Sequence, residues 1–554
     1  MSDEKKMDEI EPSEKLETIN LDEKSVPIEE ISESKVMEEK TKQETIKISK
    51  LDLGLLFIGL IFACFLATLE GTIVSTALPR IASDLKAIDK YSWVATAYLL
   101  TYNAFQPIYG KTSDIFGRRA TMIFSFMIFL IGSAGSGSAT SIDMLIAFRV
   151  IQGAGGGGIM SLVFITISDI FPLEERPKYQ AIIWATFGVS AIVGPILGGG
   201  FVDHLTWRWA FYINLPFGAL AILFVLAFLK LPFAYTSFKD KLLRIDWLGS
   251  VFIILVVFAI LLPTSWGGND YPWKSAPVIS LYCATAVLIG IFAWIEHRWA
   301  VEPIIPGRIL KNLTVAAVFT TNFLSGAVLF SLIYYIPVFF QVVRGEKATS
   351  SGLQLLPLAF GLVIFSMVSG AIVRKTPGGY KVYITIGCAL VVVGMSLLST
   401  LSEETSRIKE IFYLLIPGIG FGFELQMCLI AVQSAVAQND MAIVTSLAGF
   451  FQSIGGSIGI AIASSVLNSY LSAHILDIPP NFLTPDVIEV LKSSISGISS
   501  LPEPVKSLAI HIYVKALHRV FHAGIAFSGI AFISCLFIKR YKMVSMEESA
   551  AVAA

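Results

Sequence analysis

Long apolar runs separated by short charged turns repeat along the 554 residues of this chain. A helix needs about 20 predominantly apolar residues to cross the hydrocarbon of a bilayer. Fourteen stretches meet that requirement, near residues 53–78, 91–109, 120–138, 144–169, 179–201, 209–229, 246–264, 276–295, 314–342, 351–373, 381–400, 411–437, 442–468 and 519–538. The pattern predicts an all-α polytopic membrane protein with fourteen transmembrane helices. Residues 1–50 read differently: rich in Glu, Lys and Ser and nearly free of aromatics, they cannot bury a core and are expected to form a disordered cytoplasmic tail. The tail has no apolar core of the secretory kind, so the first span is expected to act as its own insertion signal.

Basic residues give the turns a side. With the N-terminus inside, fifteen Lys and Arg fall in short cytoplasmic turns against nine in external ones, and an even span count returns the C-terminal tail, 541–554, to the cytosol. The sequon Asn312-Leu313-Thr314 then lies inside and is expected to carry no glycan. A segment near 470–518, with Pro479, Pro480, Pro502 and Pro504, reads as a long external loop.

Composition narrows the class further. With 55% hydrophobic residues, 15% charged residues and a mean hydropathy of +0.71, the chain is too apolar for a string of soluble domains. A net charge of −1 argues against a nucleic-acid partner. All five cysteines fall inside predicted spans, which disfavours disulfides and zinc sites. No G-x-x-x-x-G-K-[ST] sequence offers a phosphate cradle, so neither ATP nor another cofactor is expected, and an ion gradient is the expected drive.

The candidate chemistry lies where polar residues interrupt apolar runs. The string GKTSDIFGRR places Gly110, Lys111, Asp114, Gly117, Arg118 and Arg119 in a tight turn, where Asp114 can face the start of the next helix and pair with Arg118. That is a latch, or else an ordinary basic turn. Glu70 lies in the first span about 14 Å from its outer end, and Arg149 in the fourth about 8–10 Å deep. Their depths match, so the two can meet, either as a proton-coupling pair or as a structural ion pair. Arg149, Gln152, Gly153 and Gly156 share one helix face. The fifth span carries Gly188, Gly194, Pro195, Gly198 and Gly199, a helix suited to bending and close packing. Glu424 is a second buried carboxylate, open to proton binding or to a local ion pair or hydrogen bond. Gln341, Gln426, Gln433 and Gln452 either line a pathway or pack.

GKTSDIFGRR resembles the loop 2–3 signature of the major facilitator superfamily, G-x-x-x-D-x-x-G-R-R. LIAFRVIQGAGGGG resembles its span-4 signature, in which Arg149 is the position linked to proton transfer, with Gly153 and Gly155 also matching. GPILGG resembles the antiporter signature of the drug:proton exchangers, with Ser190 where the family often has glycine, and WRWAFYINLPFG (207–218) resembles the hallmark of the fourteen-span exchangers. The resemblance implies two six-helix halves, 51–230 and 301–540, with two central helices inserted at 231–300. A faint echo of the turn, at Gly370, Arg374, Lys375, Gly378 and Lys381, fits such a duplication. The function implied is proton-coupled efflux of small organic molecules such as drugs, toxins or secondary metabolites. Its partners would be a small-molecule substrate, protons and the lipid bilayer, with the protein a monomer and not an enzyme. The tail shows no acidic dileucine signal, which favours the plasma membrane over the vacuolar membrane. Vacuolar transport of basic amino acids, which the same motifs also resemble, and a non-transporting nutrient sensor are the alternatives.

Overall fold

In hydrocarbon every backbone N–H and C=O must find its partner within the segment, so apolar runs of this length fold as helices. The computed structural model describes residues 49–85, 90–231, 237–268, 271–300, 302–376, 379–474, 498, 501–503 and 505–541. The tails outside that range, the remainder of the segment read as an external loop, and Gly378 therefore lie outside the described residues. Fourteen long helices follow one another: α1 (Lys50–Asp84), α2 (Tyr91–Phe116), α3 (Arg118–Ser138), α4 (Ile142–Ile170), α5 (Arg176–His204), α6 (Asn214–Phe228), α7 (Trp247–Trp266), α8 (Ala276–Arg298), α9 (Leu313–Arg344), α10 (Leu356–Ile372), α11 (Tyr380–Leu398), α12 (Arg407–Ser434), α13 (Met441–His474) and α14 (Val505–Leu536). No strand is present among the described residues.

Counted with the short helical pieces that lead into α6, α10 and α13, thirteen of these are long and apolar enough to span a membrane. The exception is α2, a helix of 26 residues whose Asn103, Gln106, Lys111 and Asp114 dilute its apolar character. The other difference from the sequence reading is at the end, where α13 reaches His474 and α14 starts at Val505 rather than near 519. The reason is amphipathicity. His511, Lys515 and Arg519 form an exposed stripe one turn apart, while Ala509, Ile512, Ala516 and Val520 are buried, so a hydropathy average hides a helix that its periodicity supports.

Helix contacts show an internal duplication. In the first six helices α1 packs on α5 and α6, α4 on α2 and α3, and α3 on α6. Shifting each label by eight gives α9 on α13 and α14, α12 on α10 and α11, and α11 on α14, all of which are observed. The two six-helix groups meet through α2 with α13 and α5 with α10, which the same shift exchanges. The inserted α7 and α8 pack on each other, and α7 leans on α2 and α13. Rows of exposed apolar residues at helical spacing, such as Phe124, Met127 and Ile131 on α3 and Ile530, Ile533 and Phe537 near the end of α14, give the bundle its lipid-facing surface.

Small residues let α4 sit between α2 and α3. A Cβ on Gly155 would lie 2.6 Å from the Ser125 carbonyl oxygen of α3, and one on Gly157 would lie 3.1 Å from the Tyr102 carbonyl carbon of α2. Those neighbours are backbone and cannot rotate away. Gly155→Val is therefore expected to cost about 1–3 kcal/mol in overpacking, read as a lower yield of monodisperse protein after detergent extraction; a wild-type yield would refute this packing account.

Candidate functional site

Glu70 on α1 and Arg149 on α4 form an ion pair between Oε1 and Nη1, with 0% and 2% of their side chains exposed. Their remaining hydrogen-bonding capacity is filled from neighbouring elements. Arg149 donates through Nε to the Val94 carbonyl of α2 at 2.9 Å and through Nη1 to Gln152 Oε1 at 2.8 Å. Asn214 of α6 donates to Glu70 Oε2 at 2.6 Å and to Ser133 Oγ at 2.8 Å. Ser133 in turn donates to the Phe211 carbonyl at 2.9 Å. Both Glu70 oxygens thus accept from donors. The guanidinium also lies 4.3 Å from the centroid of the Tyr98 ring, and Tyr98 stacks on Tyr102 at 5.8 Å.

Tyr102 opens onto the cavity between the two six-helix groups, which has a volume of about 80 Å³. Neither Glu70 nor Arg149 lines it. The pair therefore meets as its depth implied, but in a closed network one aromatic stack away from the cavity. Gln452 lines the cavity; Gln341, Gln426 and Gln433 instead bond to Ser351 Oγ, the Pro177 carbonyl and Thr445 Oγ1.

Glu424 occupies the corresponding junction in the second group. It lies on α12, fully buried, and accepts from Ser325 of α9, with the Cys388 thiol of α11 as a second hydrogen-bonding neighbour. By the shift of eight, α9 and α12 correspond to α1 and α4, and α12 buries a second carboxylate, Glu410, which pairs with Arg344 of α9. Of the alternatives open for Glu424, the local contact is a hydrogen bond and not an ion pair.

The glycines of α5 serve two partners. Gly194 and Gly198 lie against Thr72, Ile73 and Thr76 of α1, and a Cβ on Gly198 would come 2.7 Å from the Ile73 carbonyl oxygen. Gly188 faces Val363 of α10, Pro195 lies near Gly352, and Gly199 is half-buried. The helix runs unbroken from Arg176 to His204 through Pro195. Ser190, the departure from the expected glycine, donates to its own helix at Thr186 at 2.9 Å and is accommodated without strain.

The turn after α2 lies at the end of the bundle where α1 begins, here called the near face. Gly117 has φ of +90°, a conformation that suits glycine. Asp114 pairs with Arg118 at 2.5 Å, and Arg118 also binds Asp169 of α4 at 2.6 Å. No side chain caps α3, so Asp114 acts on Arg118 rather than on the helix N-terminus. Arg119 donates to the Leu226 carbonyl. These charges brace α2, α3, α4 and α6 against one another, all within the first group.

Contacts between the groups at the near face come from residues beside the motif. A Cβ on Gly110 would lie 2.8 Å from the Ser446 Cβ of α13. Lys111 binds Glu302 at 2.7 Å, and Glu302 also binds Arg244 of the connector at 2.6 Å. Arg374, in the echoed turn, pairs with Glu174, and Lys381 donates to the Leu536 carbonyl at 3.1 Å. Arg176 reaches Gln433 at 3.4 Å. Sequence reasoning missed Asp169, Glu174, Glu302 and Asn214 as partners. The acidic residues of the turns signalled the first three in principle, but Asn214 inside an aromatic string gave no sign.

Comparison with known proteins bears on this arrangement. The sequence pattern of the Major Facilitator Superfamily matches residues 60–460. The chain is 35% identical over 473 residues to the MFS-type efflux pump MFS1 of Arthroderma benhamiae, covering 84% of this chain and 88% of that one. It is 33% identical over 513 residues to the multidrug transporter protein MdtP of Bacillus subtilis, covering 87% and 92%. In fold it resembles the crystal structure of the human organic anion transporter MFSD10 (TETRAN), with a TM-score of 0.57 at 16% identity over 87% of this chain and 99% of that one.

Two outcomes follow from the near face. Gly110→Val would wedge α2 from α13, so a cysteine introduced near Ser446 should label faster from that side than in the parent; an unchanged rate would mean the contact does not close the face. Burial opposes ionisation of Glu302, but hydrogen bonds from Arg244 and Lys111 outweigh it and hold the carboxyl below its ordinary 4.5. A lowered value means the clamp is present above that pH and is lost only as pH falls through the lowered value. Glu302→Gln should therefore speed labelling without changing the shape of the pH profile of transport between about pH 5 and 8, and a shifted profile would count against this account.

Proposed function

The chain belongs to the major facilitator superfamily, and from that premise we propose that it is an efflux transporter that exchanges cytosolic small organic molecules for protons. The single observation that carries the proton coupling is the enclosed Glu70–Arg149 pair, one aromatic stack from the cavity. The names of its relatives as efflux pumps and multidrug transporters support the direction of transport.

Protonation of Glu70 removes the charge that balances Arg149. Breaking a buried pair by neutralising one partner costs about 3–5 kcal/mol. A proton entering down about 100 mV and one pH unit supplies about 2.3 plus 1.4 kcal/mol, which is of the same size. The proton gradient is thus sufficient to disfavour the arrangement that holds Arg149 against Glu70 and to favour the other access state. Glu424 is the second proposed proton-binding group, because an ionised carboxylate buried without a countercharge costs several kcal/mol.

In the proposed orientation the near face is cytoplasmic, supported by the excess of basic residues in its turns. The clustered contacts there then correspond to a state closed to the cytosol. Gly110 closes the gate against α13 while Asp114, Gly117, Arg118 and Arg119 hold the gating turn in shape within the first group, and Gly188, Gly194, Pro195, Gly198 and Gly199 allow α5 to slide between α1 and α10 as the groups rock. The plasma membrane is the proposed address.

Glu70→Gln keeps the side-chain shape and can still accept from Asn214, so it should reach the membrane in normal amounts while losing pH-gradient-driven efflux from proteoliposomes. Undiminished driven transport would remove Glu70 from the mechanism. The orientation has its own check, because Asn312 caps α9 by accepting from Thr314 N–H at 3.0 Å and donates to the Ala435 carbonyl at 3.0 Å. A cytoplasmic Asn312 should show no mobility change after endoglycosidase treatment, and a glycan there would invert the topology.

A further inference from the structure

The walls of the central cavity carry no charge. Rings of Phe164, Trp184, Phe187 and Phe330 line it together with the amides of Gln106 and Asn322, and neither an acidic nor a basic side chain is among its lining residues. In this closed arrangement it has room for only about 80 Å³, below the range of about 300–1,000 Å³ usual for small-molecule sites, so a solute of drug size enters as the two groups part.

Two of the lining residues each carry a polar atom that is covered in this closed arrangement and lacks a partner. The Trp184 side chain lies on α5 with the residue 6% exposed, and its indole N–H donates to nothing. Asn322 on α9 is 3% exposed; its amide nitrogen donates to the Ala448 carbonyl at 3.3 Å, and its Oδ1 accepts from nothing. More than about 90% of buried polar groups are paired in folded proteins. An unmet donor and an unmet acceptor at one cavity, contributed by the two six-helix groups, are complementary to a solute that offers both. Gln180, one turn from Trp184 toward the near face, is fully buried with both amide atoms unpaired, which extends the unmet polarity along the same face of α5.

Charge balance decides between solute classes. An organic cation would lose its hydration with no carboxylate to meet it, a penalty of several kcal/mol. Attraction to ring faces returns about 2 kcal/mol. An anion meets neither a guanidinium nor an ammonium group. A flat uncharged ring system loses little and gains the aromatic contact.

We propose that this cavity binds uncharged planar aromatic molecules that present a hydrogen-bond acceptor to the Trp184 indole and a donor to the Asn322 amide oxygen. The proposal rests on the efflux reading above for its physiological meaning, and on the cavity alone for its chemistry. It also separates this chain from a carrier of basic amino acids, whose cargo would need carboxylates in the wall.

The test is calorimetric binding to the full chain in lipid nanodiscs, in mildly acidic buffer, with 7-hydroxyflavone, flavone, tetraphenylphosphonium and arginine as probes. 7-Hydroxyflavone should bind saturably, with tetraphenylphosphonium and arginine about tenfold or more weaker. Trp184→Phe and Asn322→Leu should each weaken 7-hydroxyflavone about three- to tenfold, the effect of one neutral hydrogen bond. Flavone, which lacks the hydroxyl donor, should respond to Trp184→Phe and be indifferent to Asn322→Leu. Either charged probe binding as tightly as 7-hydroxyflavone, no saturable binding of 7-hydroxyflavone, or wild-type affinity in both variants would overturn the proposal. A parallel flux measurement in proteoliposomes separates the two readings. Binding of 7-hydroxyflavone without gradient-driven flux upholds the site and defeats efflux, whereas driven flux of tetraphenylphosphonium without 7-hydroxyflavone binding upholds efflux and defeats the site.

Discussion

A glutamate and an arginine almost wholly removed from solvent must complete each other, and the architecture of the first six helices depends on their doing so. The pair draws on α1 for Glu70, α2 for the Val94 carbonyl and the Tyr98 ring, α3 for Ser133, α4 for Arg149 and Gln152, and α6 for Asn214. Removing one charge leaves the other buried alone, at about 3–5 kcal/mol. The glycine run of α4 brings its backbone against α2 and α3, so the guanidinium can reach the Val94 carbonyl and Gln152 can reach Ser133. The glycines and the arginine of that span thus serve a single arrangement.

The duplicated half solves the same junction differently. Where α1 and α4 cross with a carboxylate and a guanidinium, α9 and α12 cross with a hydroxyl and a carboxylate, Ser325 and Glu424. The carboxylate has moved to the other helix of the pair, and the guanidinium that joins α9 to α12, Arg344, pairs with a different carboxylate, Glu410. Equivalent helix packing therefore hosts unequal electrostatics, one carboxylate met by a guanidinium and an amide and the other by a hydroxyl. A proton arriving at the two sites meets different local costs, so the fold's symmetry does not make the halves interchangeable.

Much of this was legible in the sequence because membrane folding constrains it so strongly. Length and apolarity exposed the spans, and the matching depths of Glu70 and Arg149 anticipated their contact. What was hidden were features that hydropathy averages away. The polar stripe of His511, Lys515 and Arg519 masked the first turns of α14. The turn motif was visible as a latch or an ordinary basic turn, and its charges brace α2, α3, α4 and α6. The cross-group role falls to Gly110 and Lys111, beside them in the same string, because which side of a turn faces a distant helix is set by packing and leaves no local pattern.

These strengths form a hierarchy that bears on motion. Within the first group the Glu70–Arg149 pair is dry and over-determined. Between the groups at the near face, the Lys111–Glu302 and Arg374–Glu174 pairs are partly solvated, with Arg374 52% exposed. Pairs of that kind are worth about 0–1 kcal/mol each. A bundle whose internal links are several-fold stronger than the links between its groups deforms first at the boundary, with each group moving as a body. The uncharged cavity lies on that boundary, so opening either face exposes its aromatic walls without pulling a buried charge into lipid. Protonating Glu70 acts inside one rigid group, and it reaches the boundary through the Tyr98–Tyr102 stack, whose second ring is already part of the cavity wall.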